Sequence, residues 1–308
     1  MTMPRARIAL IIPTYNASRY WEALSAGVHA QDITPDRKIV IDSSSKDGTA
    51  ALARRDGFEV LEISAREFNH GGTRQMGADY AGDANILIYL TQDAVPFGSD
   101  AFGNLVRAFE DAEIGAAYGR QLPREKASPI EAHARYFSYG EVPLVRSWES
   151  RHTLGFKSIF FSNAFGAYRR EALMSVGGFA SDVIFGEDTL VVARMHRAGW
   201  KTAYVPDACV RHSHDYTVAE EFRRYFDIGV LHSREAWLNQ QFGSASGEGR
   251  RLVISELTHL LKHAPHHIPS ALTRTLAKYL GYKIGRRERR ISPQLKYRLG
   301  MNRQYWSR

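Results

Sequence analysis

The feature that most restricts this chain is a repeated order of apolar run, polar loop and helical spacing across residues 7–91. RIALII at 7–12 reads as a buried strand and ends in the loop PTYNAS. Residues 19–31 then set Tyr20, Leu24 and Val28 on one side of a helix. KIVID at 38–42 is a second strand, followed by the turn SSSKDGT and a short helix from Thr49 to Arg55. FEVLEI at 58–63 is a third strand. After the turn FNHGG a helix is expected over roughly 73–81, and ILIYLT at 86–91 is a fourth strand. Strands alternating with helices predict an α/β fold whose parallel sheet carries helices on both faces. Ligands of such sheets gather at the carboxyl ends of the strands. PTYN, DSSSKDGT, FNHGG and TQDA all lie at that edge and are expected to converge on one site.

The pattern beyond is less regular. Residues 99–113 read as helix, 114–122 as strand and 123–129 as loop, while 130–160 show no usable periodicity. Residues 164–179 read as strand, helix and Gly-Gly turn, 186–201 as helix, and 202–217 as a strand pair around Pro206. From about 218 the spacing is helical to the end, broken at 244–249, 263–270 and 291–293. The expected division is an α/β domain at 1–217 and a helical region at 218–308.

Charge is also unevenly spread, with its boundary near residue 250. The net charge is +8, with 41 Lys and Arg against 33 Asp and Glu. From Arg250 onward there are 14 basic residues and two acids, Glu256 and Glu288, which leaves 27 basic and 31 acidic residues before it. The tail suits a polyanion such as an anionic membrane surface, although a solvated helical face has the same composition. No recognisable nucleic-acid-binding motif accompanies the charge, so no nucleic-acid partner is expected. No apolar stretch approaches the roughly 18 residues of a membrane span, and the apolar run near the N-terminus is too short for a signal peptide. A soluble or peripheral protein is expected. The single Cys209 excludes a disulfide framework and points to a reducing compartment.

Several polar residues are harder to assign to packing. Asp93 ends an apolar strand, where a carboxylate needs water, a partner or a cation. A hard divalent cation is held by oxygen ligands and often needs one carboxylate beside substrate phosphates. His212 and His214 are two apart and would face the same side of a strand, as a metal ligand and its neighbour or as two surface histidines. Asp42 closes the second strand and could accept hydrogen bonds from a base or ribose, whereas Asp47 is accounted for by its turn. Arg74 follows Gly71 and Gly72 near a helix start, a place that favours anions such as a diphosphate. Glu187 and Asp188 open a helix, where acids are stabilising in any case, yet either could serve as a general base for a sugar hydroxyl.

PTYN, DSSSKDGT, TQDA, VGGF, FGEDT and RHSH, in this order over residues 8–217, resemble the inverting glycosyltransferases of family two. FNHGGTRQ, LTQDA and the C-terminal YLGYKIGRRERRISPQ further resemble bacterial rhamnosyltransferases of surface polysaccharide synthesis. The resemblance implies a GT-A fold, Rossmann-like, with a mostly parallel sheet and a C-terminal helical extension. It implies dTDP-L-rhamnose as donor, with a UDP- or GDP-sugar as the alternative, and a glycan or lipid-linked glycan as acceptor. It makes Asp188 the catalytic base and Asp93 a ligand of Mg2+ or Mn2+, with His212 or His214 completing the coordination. The family's Asp-x-Asp is here Thr91-Gln92-Asp93, so one carboxylate is missing, and Thr91 would meet a ribose hydroxyl or a metal-bound water. Pro13, Thr14, Asn16, Asp42, Arg74, Thr91 and Gln92 would line the nucleotide-sugar site. Gly177, Gly178, Phe179, Glu187 and Trp148 would lie on the acceptor side. A cytoplasmic enzyme follows, with the basic tail at the inner face of the membrane or in a homo-oligomer contact. A nucleotide-sugar-binding protein without catalysis would not need Asp188.

Overall fold

The computed structural model describes residues 6–243 and 246–307. The elements run β1 (Ile8–Thr14), α1 (Ser18–His29), β2 (Arg37–Asp42), α2 (Thr49–Arg55), β3 (Glu59–Glu62), α3 (His70–Tyr80), β4 (Ile86–Leu90), β5 (Val95–Phe97) and α4 (Ala101–Arg107). Then follow β6 (Ile114–Leu122), α5 (Pro129–Ser138), β7 (Leu144–Arg146), α6 (Arg151–Leu154), β8 (Phe165–Arg169), α7 (Arg170–Ser175), α8 (Glu187–Arg197) and β9 (Lys201–Arg211). The helices α9 (Val218–Arg234), α10 (Ala236–Phe242), α11 (Ser246–His263), α12 (Ile268–Gly285) and α13 (Pro293–Leu299) complete the chain.

One sheet runs through the molecule in the order β3-β2-β1-β4-β8-β6-β9-β5, with β7 on β9. Its first half is parallel, β1 lying between β2 and β4. Strand alternation sorts the apolar side chains onto two faces. Ile8, Leu10 and Ile12 with Ile86, Ile88 and Leu90 join the cluster under α1 and α4. Ala9, Ile11, Leu87 and Tyr89 face the other cluster, which α3 and α8 cover. The second half is mixed: β8 is antiparallel to β4 and β6, while β6 and β9 are parallel.

Three expectations change. The helix after FNHGG begins at His70, not 73, because the Asn69 side chain accepts from Gly72 N at 2.8 Å and caps it. The strand pair around Pro206 is a single strand, β9. Its register against β6 jumps from Gly119↔Val205 to Arg120↔Cys209, so Pro206, Asp207 and Ala208 bulge out where proline cannot donate to the ladder. The unread region 130–160 holds α5, the three-residue β7 and short helical turns.

The C-terminal helices share the main core: Phe226, Val230 and Leu231 of α9 sit in the cluster with Tyr89 and Tyr168. α9 and α12 meet along glycines. A Cβ on Gly285 would lie 2.1 Å from Phe226 O, and one on Gly281 would lie 2.3 Å from Phe222 O. Among the described residues, no helix is long and apolar enough to cross a membrane.

Candidate active site

The carboxyl edge of the parallel strands is tied together by its own polar groups. The buried Asp42 carboxylate accepts from Thr14 Oγ1 at 2.9 Å, Ser45 Oγ at 2.6 Å and Ser45 N at 2.8 Å. Asn16 has φ 48°, in the left-handed region that asparagine tolerates, and its Oδ1 accepts from Lys46 N. Gln92 spans two loops: its Oε1 accepts from Tyr15 N at 2.7 Å and its Nε2 donates to Tyr15 O at 3.2 Å. Thr14, Asn16, Asp42 and Gln92 thus belong to one connected rim, and Pro13 precedes it in β1, in register with Ile41 of β2.

Asp93 is 8% exposed at the end of this rim. His212 Nε2 lies 3.4 Å from its Oδ1, and His214 Nε2 lies 3.5 Å from its Oδ2. The three ligand atoms gather within 4.8 Å of one another. Both histidines, not one of the two, face the carboxylate. Burial opposes its charge, but the hydrogen bond to His212 and the fields of both rings hold Asp93 below the ordinary carboxylate range. Burial and His212 push His214 down to about 4, so its ring is neutral near pH 7. His212 Nδ1 lies 2.8 Å from Gln121 Oε1, which can hold a proton on Nδ1 when Nε2 turns its lone pair to a cation. Arg124, unmarked in the sequence, donates to Asp93 O at 2.8 Å and approaches Oδ2 to 3.7 Å. The buried Thr91 hydroxyl beside Asp93 has no partner in ordinary hydrogen-bond geometry among the described residues.

The second centre stands at the start of α8. Glu187 is buried and ion-paired with Arg74 Nη1 at 3.1 Å. Arg74 is itself 6% exposed and also donates to His70 O. It therefore spends its charge on Glu187 and does not stand free for the diphosphate expected from the sequence. Burial is the largest influence and disfavours the Glu187 charge, but Arg74, His70 and the Asn163 amide together outweigh it and hold Glu187 below the ordinary carboxylate range. Asp188 goes the other way: burial, then the adjacent Glu187 charge, raise it to about 7. Two neighbouring carboxylates with such separated titrations suit an ionised structural acid beside a group that takes up a proton near neutrality.

Asn163, which no motif marked, connects these acids. Its backbone N donates to Asp188 Oδ2 at 3.2 Å, and its Nδ2 donates to Glu187 Oε1 at 3.1 Å. Tyr168 OH donates to Asn163 Oδ1 at 2.8 Å and fixes the amide. Ser162 next to it accepts from Gln121 Nε2 at 2.8 Å. One turn thus links the Asp93 triad, through Gln121, to Asp188. The polar pair Ser162-Asn163 ahead of the apolar AFGAY was the available signal.

The other acceptor-side candidates contribute by packing. Gly177 and Gly178 have φ of 83° and 69°. A Cβ on Gly178 would lie 2.1 Å from Gln75 Oε1, which instead accepts from Phe179 N. Phe179 is buried, edge-on to Tyr89 and Tyr168, and so supports the site from behind. Trp148 meets Phe242 at 5.5 Å and carries Arg151 4.0 Å from its ring centroid. Its contacts tie it to the core and not to the two acids.

Comparison with known proteins adds a family and a set of relatives. The family described as Glycosyl transferase family 2 matches residues 9–177. The O-antigen chain rhamnosyltransferase RfbN of Salmonella typhimurium is 45% identical over 302 residues, 98% of this chain and 96% of that protein. The O-antigen chain rhamnosyltransferase WbaN of Salmonella anatum is 42% identical over 97% of this chain and 95% of its own. Among solved structures, mannosyltransferase PcManGT from Pyrobaculum calidifontis, in complex with GDP-Man and Mn2+, aligns with a TM-score of 0.58 at 20% identity, covering 99% of this chain and 85% of that one. TarS residues 1–349 from S. aureus, in complex with UDP, aligns at 0.55 and 12% identity over 92% and 91% of the two chains.

Proposed function

The chain belongs to glycosyl transferase family 2, and on that premise we propose that it moves L-rhamnose from dTDP-L-rhamnose to a hydroxyl of a glycan or lipid-linked glycan in O-antigen-type synthesis. The relatives named above support the sugar and the pathway class. The observation that carries the chemistry is Asp188, raised to about 7 beside an ionised Glu187.

The reaction is a single displacement. Asp188 takes the proton of the acceptor hydroxyl, and that oxygen forms a bond to the anomeric carbon. The bond from that carbon to the diphosphate breaks on the opposite face, the nucleoside diphosphate leaves with the electron pair, and the configuration inverts. Glu187, Arg74 and Asn163 hold Asp188 in place. Pro13, Thr14, Asn16 and Asp42 line the nucleotide pocket, and Gln92 braces it. Arg124 takes the role beside the diphosphate that Arg74 cannot, since its side chain is 32% exposed next to Asp93. Gly177, Gly178 and Phe179 shape the acceptor side by holding the loop against α3.

The Asp93–His212–His214 set fits a divalent cation. It combines one carboxylate oxygen with two imidazoles that can present Nε2, a donor set better suited to manganese than to magnesium, which takes oxygen ligands. A bound cation supplies positive charge that neutralises the departing diphosphate.

Residues 1–217 hold the chemistry in this reading, and 218–308 adapt it to its acceptor. On α12, Leu272, Leu276, Tyr279 and Leu280 form an exposed apolar stripe. The basic run Arg286, Arg287, Arg289 and Arg290 follows it. A stripe flanked by cations suits the interface of an anionic inner leaflet.

The test is release of nucleoside diphosphate from a panel of nucleotide sugars with manganese, magnesium or EDTA. Release from dTDP-rhamnose that EDTA and Asp93→Ala both abolish is the expected result. Release from a UDP- or GDP-sugar alone would replace the donor, and failure to bind any donor would overturn the reading.

A further inference from the structure

Beyond the two charged centres, the C-terminal end of the chain closes a cavity of about 240 Å3 against α3 and the loop that runs into Glu187 and Asp188. Phe68 and Tyr305 supply aromatic walls, Val183 and Ile184 an apolar floor, and His70 and Asn302 polar edges. We propose that this cavity is a subsite for one neutral pyranose unit of the acceptor glycan, built by the C-terminal segment 300–305. The proposal rests on the glycosyltransferase reading above and deepens it.

Four observations carry it. The volume suits a single pyranose ring and not a nucleotide. The mixture of aromatic faces, apolar surface and amides matches a ring that has one apolar face and a rim of hydroxyls. The position is right: Val183 and Ile184 lie just ahead of the catalytic acids, and Gly71 of α3 approaches Ala180 so closely that a Cβ there would sit 1.8 Å from its carbonyl oxygen.

The segment is also held at a cost. Asp227 is 1% exposed and accepts from Met301 N, Asn302 N and Asn302 Nδ2 at 2.9–3.1 Å. Asn302 Oδ1 in turn meets His70 Nε2 at 3.0 Å, and Tyr305 OH donates to Asp182 O at 3.0 Å. A buried carboxylate is thus committed to fixing the wall of a cavity. No carboxylate lines it among the described residues, and Arg303, which does line it, holds its guanidinium 5.8 Å from the Tyr297 ring centroid. Hydroxyls match the aromatic walls and amide edges, and competition with inorganic phosphate separates them from an anion.

The experiment uses the full-length protein with octyl β-D-gluco-, β-D-galacto-, α-D-manno- and α-L-rhamnopyranosides as acceptors. Transfer to the glycoside is measured against acceptor-free donor hydrolysis in the same sample. Phe68→Ala and Tyr305→Leu are expected to lower the ratio of transfer to hydrolysis about tenfold or more, mostly through the acceptor KM. Saturation-transfer NMR is expected to show contact with the ring protons of the preferred glycoside, lost in Phe68→Ala and unaffected by inorganic phosphate. An unchanged ratio in both variants would overturn the subsite, as would competition by phosphate. Absence of hydrolysis and donor binding in the wild type would instead overturn the glycosyltransferase reading.

Discussion

Asp188 and Glu187 are adjacent, yet their environments drive them apart: one faces Arg74, and the other bears the cost of burial and of its neighbour's charge. Asp188 must be deprotonated to act as base, so kcat is expected to rise with pH up to about 7 and level above it. Its raised pKa is also a stability statement. The penalty is absent below the unfolded carboxylate value near 4 and grows as pH rises towards 7. Asp188→Asn should therefore lose about 10²–10⁴-fold in kcat while gaining about 1–3 kcal/mol of stability at pH 8. Melting curves at pH 4 and pH 8 check the second part, and a gain equal at both pH values would count against a half-buried, ionising Asp188. Asn163→Ala should shift the pH midpoint of kcat, because it frees Glu187 of one hydrogen bond. A lowered kcat with an unmoved midpoint would make Asn163 merely structural. The sequence marked both acids through FGEDT, but it did not mark Asn163, whose role depends on the start of α8, 24 residues further along the chain.

At the scale of elements, β4 and β9 deliver the triad and α3 braces Glu187 through Arg74. The chain's alternation revealed β1 to β4 because β1, β4 and most of β2 are buried on both faces and the helices between them have one apolar side. It failed at Pro206, where a bulge lets one strand pass a residue that would end an ordinary ladder. It failed also at 130–160, where short turns owe their shape to packing and not to periodicity. Two predictions belong here. Gln121→Leu should weaken manganese binding about 10–100-fold by releasing His212 Nδ1, as calorimetry would read. Gly71→Ala must push the loop at Ala180 away from α3. It should cost about 1–3 kcal/mol of stability and reduce transfer more than a control Gly140→Ala, whose Cβ would meet nothing within 4 Å.

Across the whole molecule, the acidic body and the basic helical end form one packed unit through the glycine contacts of α9 and α12. The exposed stripe on α12 predicts salt-sensitive sedimentation with anionic vesicles. Leu276→Asp with Tyr279→Asp should abolish that sedimentation while donor hydrolysis persists, and sedimentation unchanged by both substitutions would exclude this stripe. The sequence by itself determined the order of β1 to β4 with the helices between them and the polar loops at one sheet edge, because burial imposes a local period that can be read along the chain. The tertiary structure alone decided which polar groups meet: Arg74 with Glu187, Gln121 with His212, and His70 with Asn302, 232 positions away. Such pairings are set by how close-packed layers bring distant backbones together, and a local period carries no record of them.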